Sequence, residues 1–286
     1  MGKNIGRQIA ESADIYTDPD GETCPAISLK AVTSIARAQG MVIRDVEIAA
    51  LENRVTPWRY LRNIGTIGFD GQIKLLQSVV AVVGAGGLGG TIIELLARQG
   101  TGHIVIIDYD RFSEQNLNRQ LMSTEKNLGK YKALVAAKRV AQVNSAVTVT
   151  TLIERLTNEN ARILLKGASV VADALDNLPS RFAAEGTCQK LGIPLVYGTI
   201  AGFCGQLSTI FPEDAGLRCI YGSSGRFPEQ GIEVKIGNPS ATPAIVAAWQ
   251  VQEIVKIITG IGKPLRNSLL LLDTMEGTAD RIDLSR

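Results

Sequence analysis

The chain has 286 residues, of which 45% are apolar and 20% charged, so it is long and apolar enough to bury a full core. Its 30 basic and 28 acidic residues leave a net charge of +2, which excludes a general electrostatic attraction to nucleic acid or membrane and leaves only local charge clusters. Four scattered cysteines form no C-x-x-C pair, which argues against zinc and a disulfide framework and favours a reducing cytoplasm.

The N-terminal region, residues 1–53, begins polar and carries no apolar core of signal-peptide length. Two runs with helical spacing follow, 28–40 and 43–54, which predict a small helical N-terminal appendage whose role the pattern does not reveal. We assign residues 54–286 to one larger domain, in which an arm leads into a glycine-rich loop.

This loop lies in the stretch VVAVVGAGGLGG, residues 79–90, where a valine-rich strand pattern ends. Gly84, Gly86 and Gly89 fit G-x-G-x-x-G, with Gly87 between them. Glycine at these places lets a backbone turn tightly and approach a phosphate closely, while the amides of a following helix point at the anion. The pattern predicts a phosphate loop for a nucleotide.

The context of the loop supports this interpretation. A helical pattern follows it, and a second strand, HIVIID, ends in Asp108. A carboxylate at the end of the second strand of such a unit is placed to accept hydrogen bonds from ribose hydroxyls.

Strand and helix patterns alternate from residue 78 onward. Further strands are predicted near 147–152, 169–175, 194–198, 206–211 and 269–273, and helices near 126–143, 157–166, 180–191 and 240–259. This alternation predicts an α/β fold, a Rossmann-like and mostly parallel sheet with an antiparallel portion at one end. Residues 191–211 carry no charge, but Pro194 and four glycines divide them into two strand-length runs, so we expect buried sheet there rather than a membrane span.

Polar residues gather after Asp108 and point to a triphosphate rather than a dinucleotide. The following crossover carries the polar residues Asn116, Arg119, Gln120, Lys130 and Lys132, and a dehydrogenase has no need of fixed cations there. Farther on, Asp176 ends a predicted strand and Arg181 begins the next helix, so the two side chains are expected to meet at the ligand-binding edge of the sheet. An acid in that place is a suitable Mg²⁺ ligand.

Four ordered motifs, GAGGLG, DYDRFSEQNLNRQ, LGKYKA and ALDNLPSR, together with the arm RYLRNIGTIGFDGQ, resemble the ThiF/MoeB/HesA family of ubiquitin-activating-type adenylyltransferases. The resemblance runs from about residue 59 to residue 280 and omits the first fifty or so residues. It implies ATP- and Mg²⁺-dependent adenylation of the C-terminal glycine carboxylate of a small ubiquitin-fold sulfur-carrier protein that ends in Gly-Gly.

The resemblance also assigns roles within the site. Asp108 would hold the ribose, Arg119 and Lys132 the phosphates with support from Asn116, and Asp176 the Mg²⁺ ion. Arg181 would be a further polar member of the pocket. Arg62 matches an arginine that in the family reaches across a homodimer to the partner's ATP, so we expect a homodimer.

The sequence departs from the family in its cysteines. Relatives often bind zinc through two C-x-x-C pairs, but here the first place reads CIYG and the second holds no cysteine, so we expect no zinc. The loop ahead of the last long helix has no cysteine after Cys219, and Cys188 and Cys204 are expected to be buried apolar residues. We therefore expect adenylation alone, with sulfur delivered by another protein. Residues 213–238 form a long loop rich in Gly, Ser and Pro, which we expect to be mobile without the carrier.

Two other classes of function remain open. A family relative could adenylate a small molecule or a modified tRNA base, although no strong basic surface or added nucleic-acid module favours nucleic acid. An NAD-binding oxidoreductase would share the glycine loop, but the arginine and lysine set argues against it.

Overall fold

A computed structural model of the chain describes residues 2–222 and 233–285. Within them the chain forms an N-terminal appendage and a larger α/β domain built on an eight-stranded sheet. The mobility expected for 213–238 concerns in part residues 223–232, which lie outside the described residues.

The appendage is a small mixed unit. Its elements are α1 (Gly2–Glu11), β1 (Asp14–Thr17), β2 (Thr23–Ile27), α2 (Leu29–Gln39), α3 (Ile43–Glu52) and β3 (Thr56–Pro57). β1 pairs with β2 antiparallel and β2 with β3 parallel. The two helices expected from the sequence are confirmed as α2 and α3, whereas the pattern predicts neither α1 nor the sheet. The three-stranded sheet of the appendage includes β3, which lies beyond residue 53. The division of the chain between residues 53 and 54 stays a prediction.

Local chemistry sets the ends of α2. The Ser28 hydroxyl accepts a hydrogen bond from the Ala31 N–H at 3.2 Å, which satisfies a free donor of the first turn. The helix ends at Gly40, whose φ of 63° is the left-handed conformation that glycine adopts without strain. A separate apolar core, formed by Ile9, Ile27 and Val46 among others, holds the unit together.

The larger domain begins with a turn of 3₁₀ helix, residues 58–60, and α4 (Leu61–Gln77), which is kinked at Gly68. The elements that follow are β4 (Val79–Val83), α5 (Gly87–Gln99), β5 (His103–Ile107), α6 (Lys132–Val143), β6 (Thr148–Leu152), α7 (Ala161–Leu165), β7 (Val170–Asp173), α8 (Leu178–Leu191), β8 (Leu195–Ala201), β9 (Cys204–Ile210), α9 (Arg218–Tyr221), α10 (Glu233–Ile236), α11 (Ala241–Thr259), β10 (Ser268–Asp273) and β11 (Thr278–Asp283).

The sheet has the strand order β11-β10-β9-β8-β7-β4-β5-β6. The five strands from β6 to β8 are parallel, and β9, β10 and β11 continue the sheet antiparallel. The prediction of a mostly parallel sheet with an antiparallel portion at one end is confirmed. The uncharged stretch 191–211 includes the β8–β9 hairpin, and among the described residues no helix is long and apolar enough to cross a membrane.

Helices cover both faces of the sheet, and β4 shows why its sequence is apolar throughout. Val80 and Val82 pack into a core shared with α5, α6 and α11, whereas Ala81 and Val83 face the opposite way, into a core shared with α7 and α8. Side chains alternate along a strand, so a strand buried on both faces needs an unbroken apolar run.

The strand order reverses direction beside β4. From β4 the chain moves outward to β5 and β6, and it then returns to β7 on the other side of β4. The loops after β4 and β7 therefore separate at the carboxyl edge of the sheet. In open α/β sheets such a crevice is where ligands bind.

Candidate active site

A cavity of about 370 Å³ occupies this crevice. The loops that follow β4, β5 and β7 supply much of its wall, and the β8–β9 hairpin closes one side. The cavity therefore collects residues that are far apart in sequence, including the glycine loop and both predicted charged segments.

The glycine loop needs glycine at two positions for different reasons. Gly84 has a φ of 99°, and a Cβ there would lie 2.5 Å from the Ala174 carbonyl oxygen. A Cβ on Gly89 would lie 1.8 Å from the carbonyl oxygen of Gly84, because α5 packs directly under the loop. Gly84, Gly86 and Gly87 line the cavity, whereas Gly89 lies behind them. The start of α5 at Gly87 brings the N-terminus of that helix to the cavity.

Asp108 lies at the end of β5, as predicted, and lines the cavity. Its Oδ2 accepts a hydrogen bond from the Ala85 N–H at 2.6 Å, and its Oδ1 accepts one from the Asp110 N–H at 2.7 Å. Burial raises the pKa of the Asp108 carboxyl, and the Ala85 hydrogen bond and the Lys132 charge offset part of that rise. Asp108 thus also fixes the glycine loop to β5.

Lys132 begins α6 and lies largely buried in the cavity wall. Its Nζ is 3.0 Å from Asp110 Oδ2, and its main-chain N–H donates to the Asp110 carbonyl at 2.9 Å. Asp110, which also lines the cavity, is absent from the residues predicted for the site. The sequence feature that could have identified Asp110 is its place as the second acid of DYD, residues 108–110, directly after β5.

Arg119 is partly exposed and lines the cavity. Its Nη1 donates to the Gln115 carbonyl at 3.0 Å and to Asn118 Oδ1 at 2.9 Å, and it forms no ion pair with any described carboxylate. The guanidinium is therefore a cation available to an anionic ligand.

Asn116 supports this cation from behind and does not itself line the cavity. Its Oδ1 accepts hydrogen bonds from the N–H and hydroxyl of Ser113, which closes a short 3₁₀ turn. Its carbonyl accepts from the N–H groups of Arg119 and Gln120 at 3.2 and 2.9 Å. Asn116 thus shapes the turn that presents Arg119.

Arg181 and Asp176 both line the cavity at the expected edge of the sheet, but the ion-pair partner of Arg181 is Asp173 rather than Asp176. Arg181 Nη1 lies 3.1 Å from Oδ2 of Asp173 and donates to the Gly198 carbonyl at 2.8 Å, and Nη2 donates to the Leu175 carbonyl. The physical reason is that β7 ends at Asp173, three residues earlier than expected, so the first turn of α8 reaches back to that carboxylate. Arg181 lines the cavity as a buried tie between β7, α8 and β8.

Asp176 is left free by this arrangement. It is exposed, lines the cavity, and accepts a hydrogen bond from the neighbouring Asn177 side chain at 3.2 Å. Its carboxylate faces the same cavity as Lys132 and Arg119, which fits a ligand for a cation bound largely by phosphate oxygens.

The two cysteines predicted to be buried differ. Cys188 is buried, and burial raises the pKa of its thiol to about 12. The burial predicted for Cys204 is wrong, because the tight β8–β9 turn ends just before it and leaves it exposed on the cavity wall.

Arg62 lies outside the cavity of its own chain. It is exposed near the start of α4 and makes no hydrogen bond or ion pair with any described residue. Its proposed contact with a nucleotide therefore requires a second chain.

Some uncharged residues of the wall have no role predicted from the sequence, and Gln120 was named only as one of the polar residues of the crossover. Gln120 is buried beside the glycine loop, where its Nε2 would lie 3.5 Å from a Cβ on Gly86. Its Oε1 is buried and accepts no hydrogen bond from the described residues. Tyr109 and Gln206 also line the cavity.

Comparison with known proteins gives a consistent result. The model of the ThiF family matches residues 60–286. The sulfur carrier protein adenylyltransferase of Thermus thermophilus is 36% identical over 77% of this chain and 83% of its own length. The SAMP-activating enzyme E1 of Haloferax volcanii is 36% identical over 78% and 84% of the two chains. The chain also matches mouse adenylyltransferase and sulfurtransferase MOCS3, with 34% identity over 80% of this chain and 50% of that protein.

Solved structures share the fold. E. coli MccB with ATP has a TM-score of 0.70 at 20% identity, covering 90% of this chain and 79% of MccB. PaaA has a TM-score of 0.69 at 21% identity, covering 79% of this chain and 82% of its own.

Proposed function

Because the chain belongs to the ThiF family, we propose that it adenylates the C-terminal glycine carboxylate of a small ubiquitin-fold sulfur-carrier protein with ATP and Mg²⁺, releasing pyrophosphate. The chain is an adenylyltransferase of the ubiquitin-activating type, and its relatives are named as a sulfur carrier protein adenylyltransferase, a SAMP-activating enzyme E1 and an adenylyltransferase and sulfurtransferase. The observation that carries the proposal is the joining of the glycine loop, Lys132, Arg119 and Asp176 in one cavity.

The nucleotide lies, in this proposal, with its phosphates at the N-terminus of α5. The glycine loop leaves room there, and the helix end favours negative charge. Lys132 and Arg119 bind the phosphates from one side, and Asp108 accepts from the ribose at the end of β5. Arg181 holds the wall behind the site.

Asp176 is the residue we assign to Mg²⁺, which when bound would neutralise charge on the departing pyrophosphate. Its carboxylate is exposed to the cavity and makes no ion pair with a described cation. Removing this side chain would leave Lys132 and Arg119 to balance the phosphate charge alone.

The reaction requires positioning and charge balance more than proton transfer. An oxygen of the carrier's terminal carboxylate forms a bond to the α-phosphorus, and the bond from that phosphorus to pyrophosphate breaks. The carboxylate is already ionised at neutral pH, so no general base is needed. Two anions approach each other in this step, and the positive charges of Lys132 and Arg119 lower its cost.

We propose a homodimer, and the position of Arg62 supports this proposal. Its side chain is exposed, without a described partner, and outside the cavity of its own chain. We assign it to the active site of a second copy, where it would add a cation to the phosphates. All four cysteines are free thiols, which is consistent with the cytoplasmic location we propose.

Sulfur chemistry is assigned to another protein. Adenylation needs no nucleophilic cysteine in this chain, and the acyl adenylate is the species that a sulfur donor would attack. No zinc is required by any step of this reaction.

The test is ATP–pyrophosphate exchange by the purified full chain with Mg²⁺ and a panel of ubiquitin-fold carriers that end in Gly-Gly. Each carrier is paired with a copy lacking the two terminal glycines, which keeps its surface but removes the acceptor carboxylate from reach. The proposal predicts exchange with an intact carrier and none with the truncated one.

Two results would contradict it. Exchange dependent on a small carboxylic acid or a tRNA, with no response to any carrier, would favour the other adenylating class. Tight NAD binding with no exchange would favour an oxidoreductase.

A further inference from the structure

A buried polar network joins the appendage to the arm that carries Arg62. The Tyr60 hydroxyl donates to Glu47 Oε2 at 3.1 Å, and the Asn144 side-chain amide donates to the Tyr60 oxygen at 3.0 Å. None of these three residues is more than 2% exposed. Glu47 lies on α3 of the appendage, Tyr60 directly precedes α4, and Asn144 follows α6.

The network also contains charged groups, which are costly to bury without partners. Arg59 Nε lies 3.4 Å from Glu47 Oε1, and Arg59 Nη1 donates to Asn144 Oδ1. Asn144 also donates to the Ala97 carbonyl near the end of α5 at 2.9 Å. A buried carboxylate needs such partners, since removing one leaves an uncompensated charge. The network therefore holds the arm in one position.

The residue after Arg62 is anchored as well. Asn63 donates to Gln72 Oε1 at 2.8 Å, and Gln72 Nε2 donates to the Gln99 carbonyl at 3.0 Å. Close packing adds to this, because a Cβ on Gly100 would lie 2.6 Å from the Tyr60 ring. Tyr60 and Asn63 are thus both fixed to the last turn of α5, while Arg62 between them has no described partner.

We propose that Glu47, acting through Tyr60, is a positioning residue for Arg62, so that the appendage sets the direction in which this arginine reaches the second active site. The inference rests on the proposed function, in which Arg62 serves the partner's nucleotide. It assigns a task to the appendage, which lies outside the part of the chain matched by the family model.

The test compares Tyr60→Phe, Glu47→Ala and Arg62→Ala in carrier-dependent pyrophosphate exchange, with the KM for ATP as the readout. The loss of one hydrogen bond to a charged group is worth about 10-fold to 100-fold in binding, so Arg62→Ala should raise the KM by at least about 10-fold. Tyr60→Phe and Glu47→Ala should raise it in the same direction. In the Arg62→Ala background they should add less than about 2-fold, because coupled residues are not additive.

A control separates positioning from stability. Thr209→Val breaks an equally buried hydrogen bond, the one from Thr209 Oγ1 on β9 to Glu253 Oε2 on α11 at 2.9 Å, which shares no residue with the network around Tyr60. It should lower the melting temperature without changing the KM. Should Glu47→Ala fail to fold, Tyr60→Phe, which removes one oxygen atom, carries the comparison.

The outcomes separate the two claims. A normal KM in Arg62→Ala would contradict the role of Arg62 itself and the positioning with it. A raised KM in Arg62→Ala with an unchanged KM in Tyr60→Phe, or equal losses from Tyr60→Phe in both backgrounds, would overturn the positioning alone.

Discussion

Lys132 and Arg119 place two cations in the cavity wall in different ways. Asp110 binds Lys132 at both ends, through its carbonyl to the Lys132 N–H and through its carboxylate to the ammonium. A largely buried ammonium needs such a partner when no nucleotide is bound. Arg119, by contrast, has no described carboxylate and is free to respond to the ligand. The site thus combines one fixed cation with one adaptable cation.

Substitutions of Gln120 should raise the KM for ATP. Its Nε2, which can donate a hydrogen bond to a phosphate oxygen, lies beside the glycine loop. In Gln120→Ala, loss of a phosphate contact should raise the KM for ATP by about 3-fold to 10-fold. Gln120→Glu should be worse, because it places a negative charge beside the phosphates.

The matched control is Gln252→Ala on the exposed face of α11, which should leave the KM unchanged. Steady-state pyrophosphate exchange at varied ATP measures all three variants. Equal ATP affinity of Gln120→Glu and the unmodified protein would show that Gln120 does not face the phosphates.

At the scale of elements, strands buried on both faces were the most predictable feature. β4 and the start of α5 follow directly from an apolar run and the glycines after it. The sequence does not predict β11, because its residues are all exposed and show no alternation. Nor does it predict β2, in which Pro25 suggests a turn. Asp173 was missed because the end of a buried strand cannot be located by apolar pattern alone.

The α3 helix gives a prediction about stability. Burial raises the pKa of Glu47 to about 7 from a usual value of 4.5, while the Arg59 charge and the Tyr60 hydrogen bond offset part of the rise. The folded protein therefore holds a proton that the unfolded chain loses, and the free energy of unfolding should fall as pH rises from 4.5 to about 7. The full shift corresponds to about 3 kcal/mol.

Urea denaturation of Glu47→Gln across this pH window tests that statement. The free energy of unfolding of this variant should fall less with rising pH, because the contribution of Glu47 is missing. The control is Glu11→Gln, since Glu11 is an exposed glutamate of α1. Other buried acids contribute equally to both curves and cancel in the difference. Parallel pH curves for Glu47→Gln and the unmodified protein would contradict the prediction.

At the scale of the whole molecule, a complete site requires two chains in the proposed homodimer. At an ATP concentration well below the KM of the unmodified protein, Arg62→Ala should keep at most about a tenth of the exchange activity, because its KM is raised at least about 10-fold, and Asp176→Asn should be inactive. When the two variants are mixed and allowed to exchange subunits, half of the dimers pair them, and one of their two sites is intact, so about a quarter of the activity should return.

The control mixture pairs Asp176→Asn with Lys132→Ala, two residues of the same cavity, and no site in that mixture is complete. Pyrophosphate exchange is the measurement for both mixtures. Equal activity in the two mixtures, or no recovery with Arg62→Ala, would contradict a shared active site.

Carrier adenylation is tested by the intact mass of a Gly-Gly carrier after incubation with the protein, ATP, Mg²⁺ and pyrophosphatase. We expect an AMP adduct on the C-terminus of the carrier, formed by the unmodified protein and by the exposed-surface variant Asp280→Asn but not by Asp176→Asn. No adduct on any carrier ending in Gly-Gly, or an adduct formed equally well by Asp176→Asn, would contradict it.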